Sequence, residues 1–198
     1  MKFDWQRKML VVVTIVTALV LWSNHVEADV LPDSITLQLD TGVTKVKHSW
    51  DDIYGYAMFK TTLKSAGITA WHDSNFGFRI AHGYMSEAAE SSGGNYKNVS
   101  IDFKHLTSYE LMYKIDVLDR LYIYGGIGTY RIPTDHLYYK DGVVVGGRLD
   151  SDDDEGYFIG INYRLTEDLG IQWRYTKYSE IGDKEYIEGQ SLEFTYRF

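Results

Sequence analysis

The sequence predicts an all-β protein, an eight-stranded antiparallel up-and-down transmembrane β-barrel. Three observations support this prediction: a two-residue alternation of apolar and polar side chains, a composition rich in tyrosine and glycine, and connections that alternate between short and long. The chain of 198 residues has 17 Tyr and 18 Gly but only 2 Pro. Tyrosine has a high strand propensity and favours membrane–water interfaces, so this composition suits strands that meet a membrane.

The first element is a predicted secretory signal peptide, residues 1–28. Three basic residues accompany an uninterrupted, mostly apolar run of 14 residues, Met9 to Trp22, which is shorter than the roughly 20 residues of a membrane-spanning helix. Small or slender side chains in Val26-Glu27-Ala28 then fit a cleavage site. We expect a mature barrel domain of residues 29–198, and the alternative is an uncleaved membrane anchor.

The strands are predicted from strict alternation, which is clearest in 99–115. The odd positions from Val99 to Ile115 are mostly apolar or aromatic over 17 residues. This length exceeds the usual five or six residues of a globular strand. Alternation defines the remaining strands, although one of them, somewhere in 54–71 and in one or two pieces, is placed mostly by elimination. They are 35–43, 54–71, 76–85, 121–130, 157–165, 170–178 and 191–198.

The two faces of these strands indicate which side faces inward. The apolar face is broad and ends in tyrosine and tryptophan, whereas the polar face combines glycine with charged residues. We expect the apolar face to contact lipid and the charges to neutralise one another in a closed interior plug. The alternative is a narrow channel for small solutes. The predicted barrel-interior charge network is Arg79, Glu110, Lys114, Arg164, Arg174, Glu193 and Arg197.

The connections divide into two sets. Short ones are predicted at 72–75, 116–120 and 166–168, and long ones near 46–56 and at 86–98, 131–156 and 179–190. Outer-membrane barrels have short turns on the periplasmic side and long loops on the extracellular side. We therefore expect the long loops to face outward from the cell.

The connection 131–156 contains the strongest local signal. Asp141-Gly142 follows Tyr138-Tyr139-Lys140 and precedes a run of valines, which predicts a protruding hairpin. The exposed edge of such a hairpin can accept a partner strand. The alternative is a stable ribbon that only shields the barrel.

Two further features suggest chemistry but do not fit a catalytic or metal motif well. His82 and His105 fall on the lipid-facing register, as a lipid A-modifying enzyme would require, but no serine lies at a fixed spacing from them. The acidic run 149–156 resembles a calcium loop, yet Gly156 comes one place late. We expect no catalytic residue, metal or cofactor. A solvated loop is the preferred interpretation of the acidic run, and weak divalent-ion binding is the alternative.

Three segments resemble the small outer-membrane β-barrel family of the OmpA transmembrane domain, OmpX and Ail. They are YIYGGIGTY (122–130), GYFIGINYRLTEDLGIQWRY (156–175) and the terminal LEFTYRF (192–198). The resemblance covers roughly the whole mature chain, so we do not expect the peptidoglycan-binding role of full-length OmpA. It implies that Phe194, Tyr196 and Phe198 form a C-terminal signal read by the outer-membrane assembly machinery.

These observations limit the function. Without residues 1–28 the chain has 17 Lys+Arg against 26 Asp+Glu, a net charge of −9, which argues against a nucleic-acid partner. The chain has no cysteine, which excludes disulfides and thiolate sites. We expect a monomeric, non-enzymatic protein in the outer membrane of a Gram-negative bacterium, in contact with lipid and lipopolysaccharide. The family resemblance implies adhesion, colonisation or binding of an extracellular protein through the long loops.

Overall fold

The structure, a computed structural model, describes residues 34–52, 55–85, 89–94, 99–103, 105–132, 134–140, 143–150, 153–181 and 185–198. The predicted signal peptide lies outside these residues. In the described part no helix is long and apolar enough to cross a membrane. The described strands are β1 Ile35–Asp52, β2 Gly55–His72, β3 Phe76–Met85, β4 Ala89–Gly94, β5 Val99–Phe103, β6 His105–Leu118, β7 Leu121–Arg131, β8 Thr134–Lys140, β9 Val143–Asp150, β10 Asp153–Arg164, β11 Leu169–Ile181 and β12 Glu185–Arg197.

Eight of these strands form a closed antiparallel barrel in the order β1, β2, β3, β6, β7, β10, β11 and β12. Closure occurs at β1, which pairs with β12 from Gln38↔Arg197 to Trp50↔Glu185 and with β2 along its other side. The ring therefore has no open edge within the barrel wall. This arrangement confirms the predicted fold class, and the last strand of the barrel pairs with the first.

Side chains alternate between the interior and the exterior along most of each barrel strand. On β6, Ser108, Glu110 and Met112 are buried, whereas Tyr109 is 53% exposed and Leu111 is 61% exposed. The apolar side chains therefore face outward and the polar ones inward. The outward set forms a continuous apolar band that includes Phe76, Phe78, Ile80, Tyr113, Ile115, Ile123, Ile127, Ile159, Ile161, Trp173, Leu192 and Phe194.

The short connections and the last described residue lie at one end of the barrel, which we call the short-turn end. Its turns are 73–75, 119–120 and 165–168. In the first turn Asn75 has φ 69°, a left-handed conformation that asparagine tolerates better than most residues. The opposite end carries the projecting strands, and we call it the hairpin end.

The polarity of the two faces inverts towards the hairpin end of β1 and β2. Val46, Phe59 and Leu63 face inward and are buried, at 3%, 0% and 2% exposure. Their outward neighbours Lys45 and Lys60 are exposed. An apolar interior with a charged exterior is the pattern of a barrel in water. The wall of β1 and β2 therefore extends beyond the apolar band.

This inversion explains why the predicted first loop, near 46–56, is wrong. β1 continues to Asp52 and β2 begins at Gly55, so the two strands form one long hairpin. The strands are predicted from apolar side chains at outward positions. Beyond the apolar band, lysine and threonine occupy the outward positions of β1 and β2. The strand predicted in 54–71 is one continuous strand for the same reason.

The segment predicted as a single strand, 99–115, is divided into β5 and β6 on either side of residue 104, which lies outside the described residues. β6 pairs with β3 as far as His105, opposite Tyr84. Beyond that level β5 pairs instead with β4 and β8. The strand changes partners because β3 ends at Met85.

The predicted loops 86–98 and 131–156 contain much strand. β4, β5, β8 and β9 extend the sheet beyond the barrel, in the order β2, β4, β5, β8, β9. β8 and β9 pair with each other on either side of 141–142, and residues 141 and 142 lie outside the described residues.

The exterior band generates a stability prediction. Leu111→Arg places a charge on the lipid-facing side of β6, and we expect it to lower the free energy of unfolding by about 2–4 kcal/mol. Thr62→Arg is the matched control, because Thr62 also faces outward on a barrel strand but lies beyond the apolar band. We expect Thr62→Arg to lower the free energy of unfolding by less than about 1 kcal/mol. Reversible denaturant unfolding in lipid vesicles measures both, and equal losses would contradict the assignment of the band.

Candidate functional site: the filled interior and the projecting sheet

Arg79 on β3 lies at the centre of a buried ionic layer inside the barrel. Its Nε lies 3.0 Å from Asp40 Oδ2, its Nη1 lies 3.4 Å from Glu110 Oε2, and its Nη2 lies 3.2 Å from Glu193 Oε2. These partners project from β1, β6 and β12, so one guanidinium bridges the lumen. All four side chains are at most 5% exposed.

Arg174 on β11 completes the layer. It binds Glu110 in a bidentate pair, with distances of 2.8 Å from Nη1 to Oε2 and 2.5 Å from Nη2 to Oε1. Its Nε also donates to Thr176 Oγ1 at 3.0 Å, and its Nη2 donates to the Tyr130 hydroxyl at 3.4 Å. Bidentate pairing fixes the planes of the two groups relative to each other.

The carboxylates of the layer also accept neutral hydrogen bonds. Asp40 accepts from Gln38 Nε2 at 2.6 Å and from Thr69 Oγ1 at 2.7 Å, and Glu193 accepts from Gln172 Nε2. The predicted charge network omits Asp40. The alternation in the predicted strand 35–43 puts Asp40 on the polar, inward face, and that signal could have included it.

Aromatic side chains fill the lumen on the short-turn side of the ionic layer. They form a buried cluster with one methionine, and the Arg174 guanidinium lies 4.1 Å from the centre of the Phe158 ring. Gly160 makes room for this cluster, because a Cβ there would overlap the Tyr124 ring. The members of the cluster are Trp71, Met112, Tyr122, Tyr124 and Phe158.

The lumen is also filled on the hairpin side. Tyr130 and Tyr178 pack edge to face with ring centroids 5.0 Å apart, and both are buried. Beyond them Ile187 and Phe59 are buried in the interior. The described interior is thus a packed column of aromatic, ionic and apolar layers.

The structure brings four of the seven predicted network residues together, namely Arg79, Glu110, Arg174 and Glu193. It places the other three, Lys114, Arg164 and Arg197, near the short-turn end, where each is only partly buried. Lys114 Nζ lies 4.9 Å from the centre of the Trp71 ring. Arg164 Nη2 lies 3.3 Å from Asp116 Oδ1 in an exposed pair.

The projecting sheet is the second candidate site. β9 pairs with β8, and it is the last strand in the order of the sheet. In the described part of the chain, its other edge has no partner strand. Tyr138 pairs with Gly146 and Tyr139 with Val144, with a register shift between them. A bulge of this kind increases the twist of a ribbon and marks many sheet edges.

The predicted C-terminal signal residues face outward on the closing strand. Phe194 is 60% exposed, Tyr196 38% and Phe198 45%. The Tyr196 and Phe198 rings pack edge to face with centroids 4.9 Å apart, and the Phe198 backbone N–H donates to the Leu37 carbonyl at 2.9 Å. Their role in assembly remains a prediction.

The histidines of the enzyme alternative lie close together on the exterior. The ring centroids of His82 and His105 are 5.4 Å apart, and the hydroxyl 2.9 Å from His82 Nδ1 belongs to Thr107. The described residues contain no cluster of three or more metal-ligating side chains. Part of the acidic run, 151–152, lies outside them.

A closed ring of strands with an apolar outer band and a charged interior defines the class of protein. Closed barrels satisfy every backbone polar group of a membrane-spanning sheet, and this alternation is that of outer-membrane barrels. The chain is therefore an outer-membrane β-barrel protein. In this class short turns face the periplasm, so we expect the hairpin end to face outward from the cell.

Solved structures of small outer-membrane barrels share this fold. Ail, the attachment invasion locus protein of Yersinia pestis, aligns with a TM-score of 0.57 and 12% identity over 82% of this chain and 98% of its own. Neisserial surface protein A aligns with a TM-score of 0.51 and 14% identity over 83% of this chain and 96% of its own. The outer membrane protein AlkL aligns with a TM-score of 0.52 and 15% identity over 83% of this chain and 90% of its own.

At these identities the likeness concerns the fold, and it confirms the family resemblance of the sequence at that level. No protein-family model matches the chain, and a search of curated proteins found no match.

The ionic layer generates the second prediction. Glu110→Gln removes the carboxylate shared by Arg79 and Arg174, and we expect it to lower the free energy of unfolding by roughly 3–5 kcal/mol, because two buried cations lose their common partner. Arg164→Gln is the matched control, since it breaks a partly exposed ion pair and should cost less than about 1 kcal/mol. Denaturant titration in lipid vesicles compares them, and a Glu110→Gln loss no larger than the control would refute a structural role.

Proposed function

We propose that the protein acts at the cell surface as a non-enzymatic binding protein, in adhesion, colonisation or binding of a host factor, and that the projecting sheet is its contact surface. The open edge of β9 is the observation that carries this proposal. Backbone N–H and C=O groups along an open edge hydrogen-bond an incoming extended segment, whereas side chains on alternate positions select its sequence.

The position of the projecting sheet and the similarity of the fold to that of Ail also support this role. The sheet projects from the end of the barrel that faces outward from the cell, beyond the apolar band. Ail is named for attachment and invasion, and one of its structures holds the heparin analogue sucrose octasulfate. The proposed partner of the present chain is an extracellular protein that supplies an extended segment, and the barrel acts as a monomer.

The filled interior favours this role over the narrow-channel alternative. Buried aromatic and ionic side chains occupy the described lumen, and an eight-stranded barrel is only wide enough for its side chains to fill it. We expect no single-channel conductance when the purified barrel is inserted into planar lipid bilayers. Steps of conductance in the wild type would favour the channel instead.

A hairpin deletion tests the surface role. Cells of a non-adherent laboratory strain would express the wild-type chain or a variant with 134–150 replaced by a four-residue Gly/Ser linker. We expect the wild type to raise adherence to cultured epithelial cells and the deletion to remove most of that gain. The barrel should persist in the deletion variant, because all eight barrel strands remain, and its heat-dependent electrophoretic mobility checks this.

Two proline variants distinguish edge pairing from contact through side chains. Adjacent residues of a strand point their N–H groups to opposite sides, so of Arg148→Pro and Leu149→Pro one removes a donor from the open edge and the other a donor to β8. We expect the open-edge variant to lose adherence while the hairpin persists. Full adherence in both variants, or in the deletion, would contradict the proposal.

A further inference from the structure

We propose that His82 and His105 bind a zinc ion on the outer wall of the barrel, at the base of the projecting sheet. His82 on β3 pairs with Thr107 on β6, and the next outward residue of β3, Tyr84, pairs with His105. The two histidines are therefore diagonal neighbours on the outer face of one antiparallel ladder. We call these four residues the histidine quartet. The sequence predicts no metal site, and the ladder brings together two ligands that are far apart in the chain.

The separation of the two imidazole rings is close to that of two ligands of one zinc ion. Diagonal neighbours in an antiparallel pair are about 7–8 Å apart. The ring centroids of His82 and His105 are only 5.4 Å apart, so the rings lean towards each other. Zn–N bonds of about 2.0–2.1 Å at a tetrahedral angle place the centroids of two coordinated imidazole rings roughly 5 Å apart.

The neighbours of His82 orient it as a metal ligand. Thr107 Oγ1 lies 2.9 Å from His82 Nδ1, and the hydroxyl accepts a hydrogen bond when Nδ1 carries the proton. In that tautomer His82 Nε2 keeps the lone pair that binds a metal. Metal-ligating histidines almost always donate their other ring N–H to an oxygen in this way. The Tyr84 ring also packs edge to face against His82, with centroids 4.6 Å apart.

The quartet lies where the outer wall changes from lipid-facing to water-facing. On β3 the outward residues change from Ile80, which is 47% exposed, to His82 and Tyr84, and tyrosine is enriched at membrane–water interfaces. A metal ion in the water at the hairpin end therefore reaches the quartet without crossing hydrocarbon. Imidazole nitrogen is a preferred ligand of zinc, whereas calcium and magnesium take oxygen ligands. The ligands therefore select zinc over those two ions.

The pair of histidines leaves coordination positions open. Zinc is usually four-coordinate, and the described residues add no third histidine, cysteine or carboxylate to the pair. On the neighbouring strands Lys64 lies opposite Tyr84 and Arg131 lies opposite Thr107. Positive charge on both sides favours an anionic oxygen ligand from outside the chain in the open positions. The bound ion is therefore accessible and exchangeable.

A zinc ion at the quartet would connect β3 to β6 at the level where the projecting sheet leaves the barrel. β3 ends at Met85 and β6 begins at His105. Beyond this level β5 pairs with β4 and β8 instead. The metal would hold the last paired residues of β3 and β6 together. Because it binds only the folded ladder, it would also stabilise the barrel.

The test is a calorimetric zinc titration of the untagged protein in phosphatidylcholine nanodiscs. The test variants are His82→Ala and His105→Ala. The matched controls, His72→Ala on β2 and His136→Ala on β8, remove histidines outside the quartet. Thr107→Val removes the orienting hydroxyl, and Thr107→Ser keeps it.

We expect a single zinc ion per chain. Thr107→Val should weaken its binding by about 10–100-fold, the usual effect of removing the hydrogen-bond partner of a metal ligand. His82→Ala and His105→Ala should weaken binding at least as much, whereas Thr107→Ser and the two controls should keep the wild-type affinity. Saturating zinc should raise the temperature at which electrophoretic mobility changes in the wild type but not in His82→Ala. The same mobility assay without zinc shows that all variants fold.

Two results would overturn the proposal. One is a zinc affinity that is the same in His82→Ala and His105→Ala as in the wild type. The other is a loss of affinity in His72→Ala or His136→Ala as large as in the test variants, which would locate the zinc ion elsewhere on the protein.

Discussion

A chain that crosses a bilayer with strands must satisfy every backbone N–H and C=O within its own sheet, because the hydrocarbon core offers no other partner. Here the pairing of β1 with both β12 and β2 meets this constraint by closing the ring. Closure gives every strand one face towards lipid and one towards a narrow lumen. The apolar exterior, the paired interior charges and the aromatic layers all follow from that division.

Because the closed barrel has a narrow lumen, the charged side chains inside it must pair with one another. Eight strands leave a space that side chains fill, so a charge placed inside cannot remain hydrated and must find partners in the wall. Arg79 reaches Asp40, Glu110 and Glu193 on three other strands. These contacts connect parts of the ring that are remote in sequence. The ionic layer therefore stabilises the registers that bring those residues to one level.

Much of the fold is predictable from the sequence because lipid imposes a simple rule. The alternation in 76–85 predicts β3 without error in its bounds, and Glu110 and Arg174 are predicted to be inward by parity alone. The three short turns agree with their predicted positions to within a few residues. The alternation shows which face of the sheet a residue lies on, but it does not determine the level of that residue along the barrel axis. Lys114 and Arg197 share the inward register of Arg79, yet they lie near the short-turn end and outside the ionic layer.

The strand prediction is wrong beyond the apolar band that contacts lipid. Towards the hairpin end, Val46 and Phe59 face inward while Lys45 and Lys60 face outward, so a search for outward apolar residues finds no strand there. β8 and β9 lie within a predicted loop, where the Asp141–Gly142 signal indicated a hairpin. The hairpin end of the β1–β2 wall thus follows the rules of a water-soluble sheet rather than those of a lipid-facing one.

The most direct test of this account is a spin-label scan of β1 in lipid nanodiscs, which the absence of cysteine from the chain makes straightforward. Single cysteines at positions 37, 39, 41, 43, 45 and 47 would carry the label. We expect greater accessibility to lipid-soluble oxygen up to position 43 and greater accessibility to a water-soluble nickel complex from position 45 onward. Oxygen accessibility that continued unchanged through 47, or no dominance of oxygen at 39–43, would contradict it.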